Sequence, residues 1–252
     1  MKESFRNRLR SEKLLIGTLL TLPSPEVAEI LSHAGFDWLF IDLEHSPLSM
    51  RDAQVLLQIA SPSCSCIMRV PLNDEIWIKK ALDSGADGVM VPQVNSAEAT
   101  QQAVHFSKYP PQGGRSVGVA RAHAYGARLQ EYIDQANSAT SLIIQVEHIQ
   151  AVRNIESILA TEGLDGVLIG PYDLSASMGL IGQVEHPEVQ AAIGRVLQAC
   201  REKDMPLGIF AANVERARKY AALGFRFIAI GGDVMLLLGA ANDLVREMKT
   251  PV

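Results

Sequence analysis

Cysteine is scarce in this chain: Cys64, Cys66 and Cys200 are the only three among 252 residues. Three thiols cannot all pair, and Cys64 and Cys66, two apart on a strand, share a face and make a poor bridge. A disulfide framework is therefore not expected; reduced, buried thiols in a cytoplasmic protein are. Lysine is placed just as tellingly. The eight lysines are Lys2, Lys13, Lys79, Lys80, Lys108, Lys203, Lys219 and Lys249, and none falls at the C-terminal end of a predicted strand. There is no charge block, low-complexity tract or linker-like stretch. One domain over residues 1–252 is expected, since α/β barrels of this length run undivided. The net charge of −5 and pI near 5.7 argue against nucleic acid or an anionic membrane as the main partner. Long hydrophobic runs are missing too. LLIGTLLTL, behind the basic MKESFRNRLRSEK, is too short to span a bilayer. It continues into PSPEVAEIL rather than a small-residue cleavage site, so it reads as a first strand.

What is present is a repeated unit. Hydrophobic residues make up 48% of the chain, enough for a sizeable core. Strands are predicted at 14–20, 38–44, 64–70, 88–92, 141–147, 166–170, 206–211 and 227–233. Helical stretches such as PEVAEILSHAG, NDEIWIKKALDSG, AVRNIESILATEG and NVERARKYAALGF lie between them, several ending at glycine. The turn GFD, GAD, GLD or GFR recurs at 35, 85, 163 and 224. Eight strand–helix alternations with near-continuous apolar strands predict an α/β fold, a parallel (β/α)8 TIM barrel. A doubly wound open sheet usually carries a Gly-rich phosphate turn after its first strand, and LLIGTLLTLPSPE has none. The connection from Tyr109 to Thr140 exceeds a normal loop and is expected at the active-site face.

Barrel active sites lie at the C-terminal ends of the strands. There the second strand gives Asp42 and Glu44, two apart on one face, with His45 just beyond. The third ends in Arg69, the fifth in Gln145 and Glu147, and the sixth runs into Gly170-Pro171-Tyr172-Asp173. Each has a plain structural reading: Asp42 as a turn cap, Arg69 as the partner of a rim acid, Asp173 as an N-cap. Together, Glu147 and Asp173 with Gln145 between them make a hard, oxygen-rich site that suits Mg²⁺ or Mn²⁺ rather than zinc. His148 should point elsewhere, and His33, His105 and His186 read as surface or packing groups; His123 in the long connection is a weaker candidate. Asp233 reads as a helix cap. A Schiff-base mechanism needs a desolvated lysine inside the barrel, and no lysine is offered there.

These residues resemble the HpcH/HpaI aldolase family, the metal-dependent (class II) pyruvate aldolases. The resemblance runs from GFDWLFIDLEHSP through YPPQGGRSVG and LIIQVE to GVLIGPYDLSASMG, HPEVQAAI and FIAIGGD, nearly the whole chain. It implies a cytoplasmic aldehyde-lyase of aromatic or sugar-acid catabolism, hexameric, with the last helix exchanged between subunits. The reaction it implies cleaves and forms 4-hydroxy-2-oxo acids, giving pyruvate and an aldehyde through a metal-stabilised enolate. Glu147 and Asp173 would hold Mg²⁺, Mn²⁺ or Co²⁺. Gln145 and the backbone around Tyr172 and Asp173 would contact substrate. His45 would be the base, and Arg69 would stabilise the enolate and alkoxide, with Asp42 and Glu44 counted among the catalytic groups. Asp83, in ALDSG, matches an acid that raises the basicity of the histidine. It ends its helix on the wrong face of its own barrel, so it is expected to act across a subunit interface. Tyr172 stands where many members have Ala, which narrows or re-aims the acceptor side; Ser116 and His148 also depart from the usual pattern. Two rivals remain: oxaloacetate decarboxylation or acyl-CoA hydroxy-acid cleavage on the same site, and a silent metabolite-binding barrel with a phosphate at Gly231-Gly232.

Overall fold

In the computed structural model, residues 3–12 and 14–250 are described. A short helix, α1 (Phe5–Ser11), leads into β1 (Leu15–Leu20), α2 (Pro25–His33), β2 (Trp38–Asp42) and α3 (Met50–Ala60). Then come β3 (Ser65–Arg69), α4 (Glu75–Asp83), β4 (Gly88–Val91) and α5 (Ala97–Ser107). The long connection carries a 3₁₀ segment (Arg121–Gly126) and α6 (Leu129–Ala139) before β5 (Ser141–Val146). After α7 (Ile149–Arg153) and α8 (Ile155–Leu159) come β6 (Gly166–Ile169), α9 (Pro171–Ser177) and α10 (Pro187–Glu202). The chain ends in β7 (Leu207–Ala211), α11 (Val214–Ala222), β8 (Phe227–Gly232) and α12 (Asp233–Lys249). The strands are parallel, each pairs with the next, and β8 returns to β1, closing the barrel. Each strand lies within two residues of its predicted limits. No described helix is long and apolar enough to cross a membrane.

The four repeated turns share one construction. Gly35, Gly85, Gly163 and Gly224 all take φ between 88° and 94°, a region an L side chain rarely adopts. Two residues later, Asp37, Asp87 and Asp165 each accept the backbone N–H of the preceding strand, from Ile16 (2.8 Å), Cys66 (2.8 Å) and Leu142 (3.0 Å). Their own N–H groups donate back to the same residues. The turn therefore sets the helix exit and the strand register at once. In the fourth copy Arg226 keeps the backbone bond to Leu207 and turns its side chain to Asp204.

Two apolar layers result from the strands' period of two. Outward residues such as Leu39, Ile41, Met68 and Ile144 pack under the helices. Inward residues Trp38, Phe40, Ile67, Met90, Ile143, Leu168 and Phe227 fill the barrel, and Phe5 and Leu9 of α1 plug its N-terminal end. The rings of Phe5, Phe40 and Phe227 lie 5.7–5.9 Å from that of Trp38. Glycine makes room for them: a Cβ on Gly17 would meet the Trp38 indole at 2.4 Å, and one on Gly208 would meet the Phe227 ring at 2.3 Å.

The long connection does not lie at the active-site face. Helices of the barrel run back against the strands, so a segment joining α5 to β5 crosses the N-terminal end. There Arg115 is buried against the Tyr109 ring, 4.5 Å from its centroid, and pairs with Asp83 at 2.6 Å. Lys108 is also buried here, donating to the carbonyls of Thr140 (2.9 Å) and Asn137 (3.3 Å).

Because Gly208 and Phe227 share one space, Gly208→Ala should destabilise the fold by about 1–3 kcal/mol, the usual effect of overpacking. Adding Phe227→Leu should recover part of that loss. Denaturant titration of the two single variants and the double checks it: strict additivity would disprove the steric account.

Candidate active site

The inward positions that are apolar low in the barrel become polar at its C-terminal rim. On β2 the inward series is Trp38, Phe40, Asp42; on β3, Ile67, Arg69; on β5, Ile143, Gln145, with Glu147 next. Asp42 and Arg69 are register partners on adjacent strands. The Arg69 guanidinium donates to Asp42 through Nε (2.9 Å) and Nη2 (2.7 Å) and to Gln145 Oε1 through Nη1 (3.2 Å). Gln145 Nε2 donates to Glu147 Oε2 at 2.5 Å, and Glu147 Oε1 accepts the Gln93 N–H at 2.8 Å. A Cβ on Gly170 would lie 2.8 Å from Gln145 Nε2 and 3.0 Å from Glu147 Oε2, so only glycine leaves that pair its place.

Asp42 also builds the loop after β2. Its Oδ1 accepts the N–H groups of Glu44 (3.0 Å) and His45 (3.4 Å), an Asx-type turn that carries both side chains to the rim. His45 Nε2 stands 3.7 Å from Glu44 Oε2, and its side chain is 65% exposed at the mouth. Arg69 Nη1 lies 3.2 Å from the same Glu44 oxygen without the alignment of a hydrogen bond, leaving that buried oxygen without a hydrogen-bond partner among the described residues. Asp173 lies in the first turn of α9, exposed, where a helix N-terminus favours an acid.

The charges do not balance. Burial works against the Asp42 carboxylate, but Arg69 more than offsets it and holds the group below the usual carboxylate range. Burial likewise opposes the Arg69 charge, and Asp42, Glu44 and Glu147 outweigh it, so the guanidinium stays ionised. Glu44 is pushed up, first by burial and then by Asp42 and Asp173, against the pull of Arg69 and His45. Glu147 is pushed up to about 7, chiefly by burial and further by Glu44 and Asp173, despite the Gln93 N–H. One guanidinium serves four carboxylates.

A cavity of about 280 Å³ opens at this rim, and Asp42, His45, Arg69, Gln145, Tyr172 and Asp173 all line it. Glu44 and Glu147 adjoin that lining through Arg69 and Gln145. Asp83 is not there: it ends α4 at the opposite end of the barrel, paired with Arg115. His123 is buried in its own turn, bonded to Ala120 and Gly126, and takes no part. Lys108 sits at the N-terminal end; Lys2 and Lys13 lie outside the described residues. Asp233 is more than a cap. Its carboxylate accepts from Thr21 N (2.7 Å), Thr21 Oγ1 (2.7 Å) and Leu22 N (2.7 Å), stitching β8 to β1. The donors of Thr21 and Leu22 are thus already taken by an internal anion. Three contributors carried no sequence signal: Gln93, which acts through its backbone N–H at φ 55°, and the apolar walls Leu19 and Phe210.

No group of three or more His, Cys, Asp or Glu side chains converges on one point among the described residues. Any ion here would have at most two protein carboxylates and several open positions, as in a catalytic rather than a structural site.

A sequence profile described as HpcH/HpaI aldolase/citrate lyase matches residues 16–240. The chain belongs to the HpcH/HpaI aldolase/citrate lyase family. It is 42% identical over 246 residues to a 4-hydroxy-2-oxo-heptane-1,7-dioate aldolase of Escherichia coli, covering 97% of this chain and 94% of that one. A family protein from Burkholderia cenocepacia superposes with a TM-score of 0.95 at 37% identity, covering 99% and 100% of the two chains. A citrate lyase beta subunit complexed with oxaloacetate and magnesium, from M. tuberculosis, shares the fold at 16% identity and a TM-score of 0.59, over 88% of this chain and 93% of that one. As an HpcH/HpaI protein the chain is a carbon–carbon lyase of the aldolase type.

A carboxyl whose folded-state pKa exceeds its unfolded value binds its proton more tightly when folded. The contribution of Glu147 to stability is therefore lost as pH climbs from 4.5 towards about 7. In chelator-treated protein, Glu147→Gln should remove that loss, on the order of 2 kcal/mol between pH 5 and pH 8. Its melting temperature should then exceed the wild type's by roughly 4–8 °C at pH 8 and by much less at pH 5. Parallel Tm-versus-pH curves for the two proteins would show that Glu147 is compensated after all.

Proposed function

We propose that this chain is a divalent-metal-dependent aldolase that cleaves 4-hydroxy-2-oxo acids to pyruvate and an aldehyde, and forms them in reverse. The reading is carried by the acid cluster at the barrel mouth, with Glu147 raised to about 7 beside Glu44 and Asp173 and Arg69 as the one guanidinium. Carboxylates gathered without enough countercharge are poor for stability and good for holding a cation. The Glu44 oxygen that accepts no hydrogen bond and the space left by Gly170 fit that use. Glu147 and Asp173 would hold the ion, and an oxygen-only donor set suits Mg²⁺ or Mn²⁺, with Co²⁺ as a substitute. When bound, such an ion supplies Lewis acidity at the keto oxygen of a 2-oxo acid.

The chain's own residues do the rest. Arg69, fixed from two sides by Asp42, would donate hydrogen bonds to the oxygen on which negative charge develops. Gln145, bridging Arg69 and Glu147, would orient the 2-oxo acid. His45 would take the C3 proton, directly or through water, and Glu44 would favour the imidazolium that results. Asp83 would act on the His45 of a neighbouring subunit rather than its own. In support of an assembly, α12 exposes eight large apolar side chains between Val234 and Met248. Such a face needs cover, and we propose that α12 is exchanged between subunits of a hexamer. The three buried cysteines, Cys64, Cys66 and Cys200, suit a cytoplasmic setting.

Chelation should abolish pyruvate release from a 4-hydroxy-2-oxo acid, and Mg²⁺, Mn²⁺ or Co²⁺ should restore it. Borohydride with pyruvate should leave the protein active and unlabelled by mass spectrometry. Covalent trapping on a lysine, or full activity in rigorously metal-free protein, would sink the assignment.

His45→Ala should slow exchange of the pyruvate methyl protons by about 10²-fold, the usual loss for a general base, with little change in metal affinity. Exchange followed by NMR at the wild-type rate would remove His45 from the mechanism.

A further inference from the structure

The mouth cavity is polar on one side and apolar on the other, and the division follows the strands. The polar wall comes from β2, β3, β5 and the turn after β6: Asp42, Arg69, Gln145 and Asp173. The facing wall comes from β7 and β1, which flank β8 in the barrel: Phe210 and Leu19, with Thr21 just beyond β1, its hydroxyl turned to Asp233. Leu168 lies at the floor, and the Tyr172 ring stands at the rim with 43% of the residue exposed. No described lysine lines the cavity. Its single guanidinium belongs to the polar wall, held by Asp42 through Nε and Nη2 and by Gln145 through Nη1, with its remaining N–H groups assigned to the 2-oxo acid.

The substrate must lie across this division. In synthesis the C3 proton of pyruvate leaves, the C3–C4 bond forms to the aldehyde carbon, and the aldehyde oxygen takes up a proton. In cleavage the same bond breaks, its electron pair returns to C3, and the C4 hydroxyl loses its proton. The 2-oxo acid end belongs on the polar wall, so the aldehyde's substituent extends towards Phe210, Leu19 and Tyr172. A carboxylate there would find no free cation.

We propose that the acceptor is an uncharged, apolar aldehyde, aromatic or branched aliphatic, and that the enzyme discriminates against one bearing a distal carboxylate. The inference rests on the aldolase reading above and deepens it. A ring held between Phe210 and Tyr172 gains apolar burial and edge or offset aromatic contact. The E. coli relative is named for a dioate, whose cleavage releases a semialdehyde with a carboxylate at its far end. The acceptor wall here is the wrong chemistry for that product.

The test uses the full chain with Mn²⁺ and has two arms. Exchange of pyruvate methyl protons without any acceptor reads the aldolase chemistry by itself. Competition between equal concentrations of benzaldehyde and succinic semialdehyde, read as the ratio of the two aldol products, gives the acceptor preference whatever fraction of protein is active. We expect exchange, and a ratio of about tenfold or more favouring benzaldehyde, the scale on which apolar pockets discriminate. Leu19→Arg, which places a cation on the apolar wall, should move the ratio about tenfold towards the semialdehyde. Exchange with equal or reversed preference, or a ratio unmoved by Leu19→Arg, would overturn the acceptor assignment alone. Absence of exchange would overturn the aldolase reading and this inference with it.

Discussion

The bidentate pair between Asp42 and Arg69 is the point from which the rest of the mouth is measured. The two residues are register partners on β2 and β3, both buried, and their hydrogen bonds are 2.7 and 2.9 Å long. Removing one member of such a pair strands the other's charge in the interior, commonly at about 3–5 kcal/mol. From this pair two lines run outward. Asp42 accepts the N–H groups of Glu44 and His45 and so fixes the loop that carries the proposed base. Arg69 holds Gln145, which holds Glu147. A shift of the pair would displace base, amide and acid together.

The two ends of the barrel are built on opposite principles. At the N-terminal end the buried charges have work within the fold: Asp37, Asp87 and Asp165 clamp neighbouring strands, and Arg6 and Lys108 both reach Asp165. Phe5 and Leu9 then seal it. At the C-terminal end acids outnumber their partners, one buried carboxylate oxygen has no hydrogen bond, and Glu147 is raised to about 7. The first end contributes stability; the second gives some of it up to stand ready for a cation and a substrate.

Much of this was legible in the sequence, for one reason. A strand's side chains alternate with period two, so a run such as WLFID declares both which residues face the barrel and where the inward series turns polar. That placed Asp42, Arg69, Gln145 and Glu147 around one mouth before any coordinates. The rest failed for identifiable reasons. The segment AEATQQAVHFS has a weak apolar stripe, and without it as α5 the following connection looks like a loop after a strand and is assigned to the wrong face. In α1, only the i,i+4 pair Phe5 and Leu9 marks the helix, within a charged stretch for which the sequence predicts no element. Gln93 acts through its backbone, which side-chain identity cannot reveal. Leu19 and Phe210 are apolar and inward-facing, so by residue type they cannot be told from core.

Glycine connects the packing of the barrel to its chemistry. Low in the barrel, Gly17 and Gly208 leave space for Trp38 and Phe227, and the gain is a filled interior. At the rim, Gly170 makes the same concession, but the groups admitted are the Gln145 amide and the Glu147 carboxylate. A side chain at Gly17 or Gly208 strikes a rigid ring in the core, so the fold must give. A side chain at Gly170 strikes the ends of two polar groups beside an open cavity, so those groups can move and the fold need not. The same residue type, on the same inward face of the barrel, therefore guards stability at one level and site geometry at the next. What separates the two is whether the neighbour it accommodates is enclosed by core or borders the mouth.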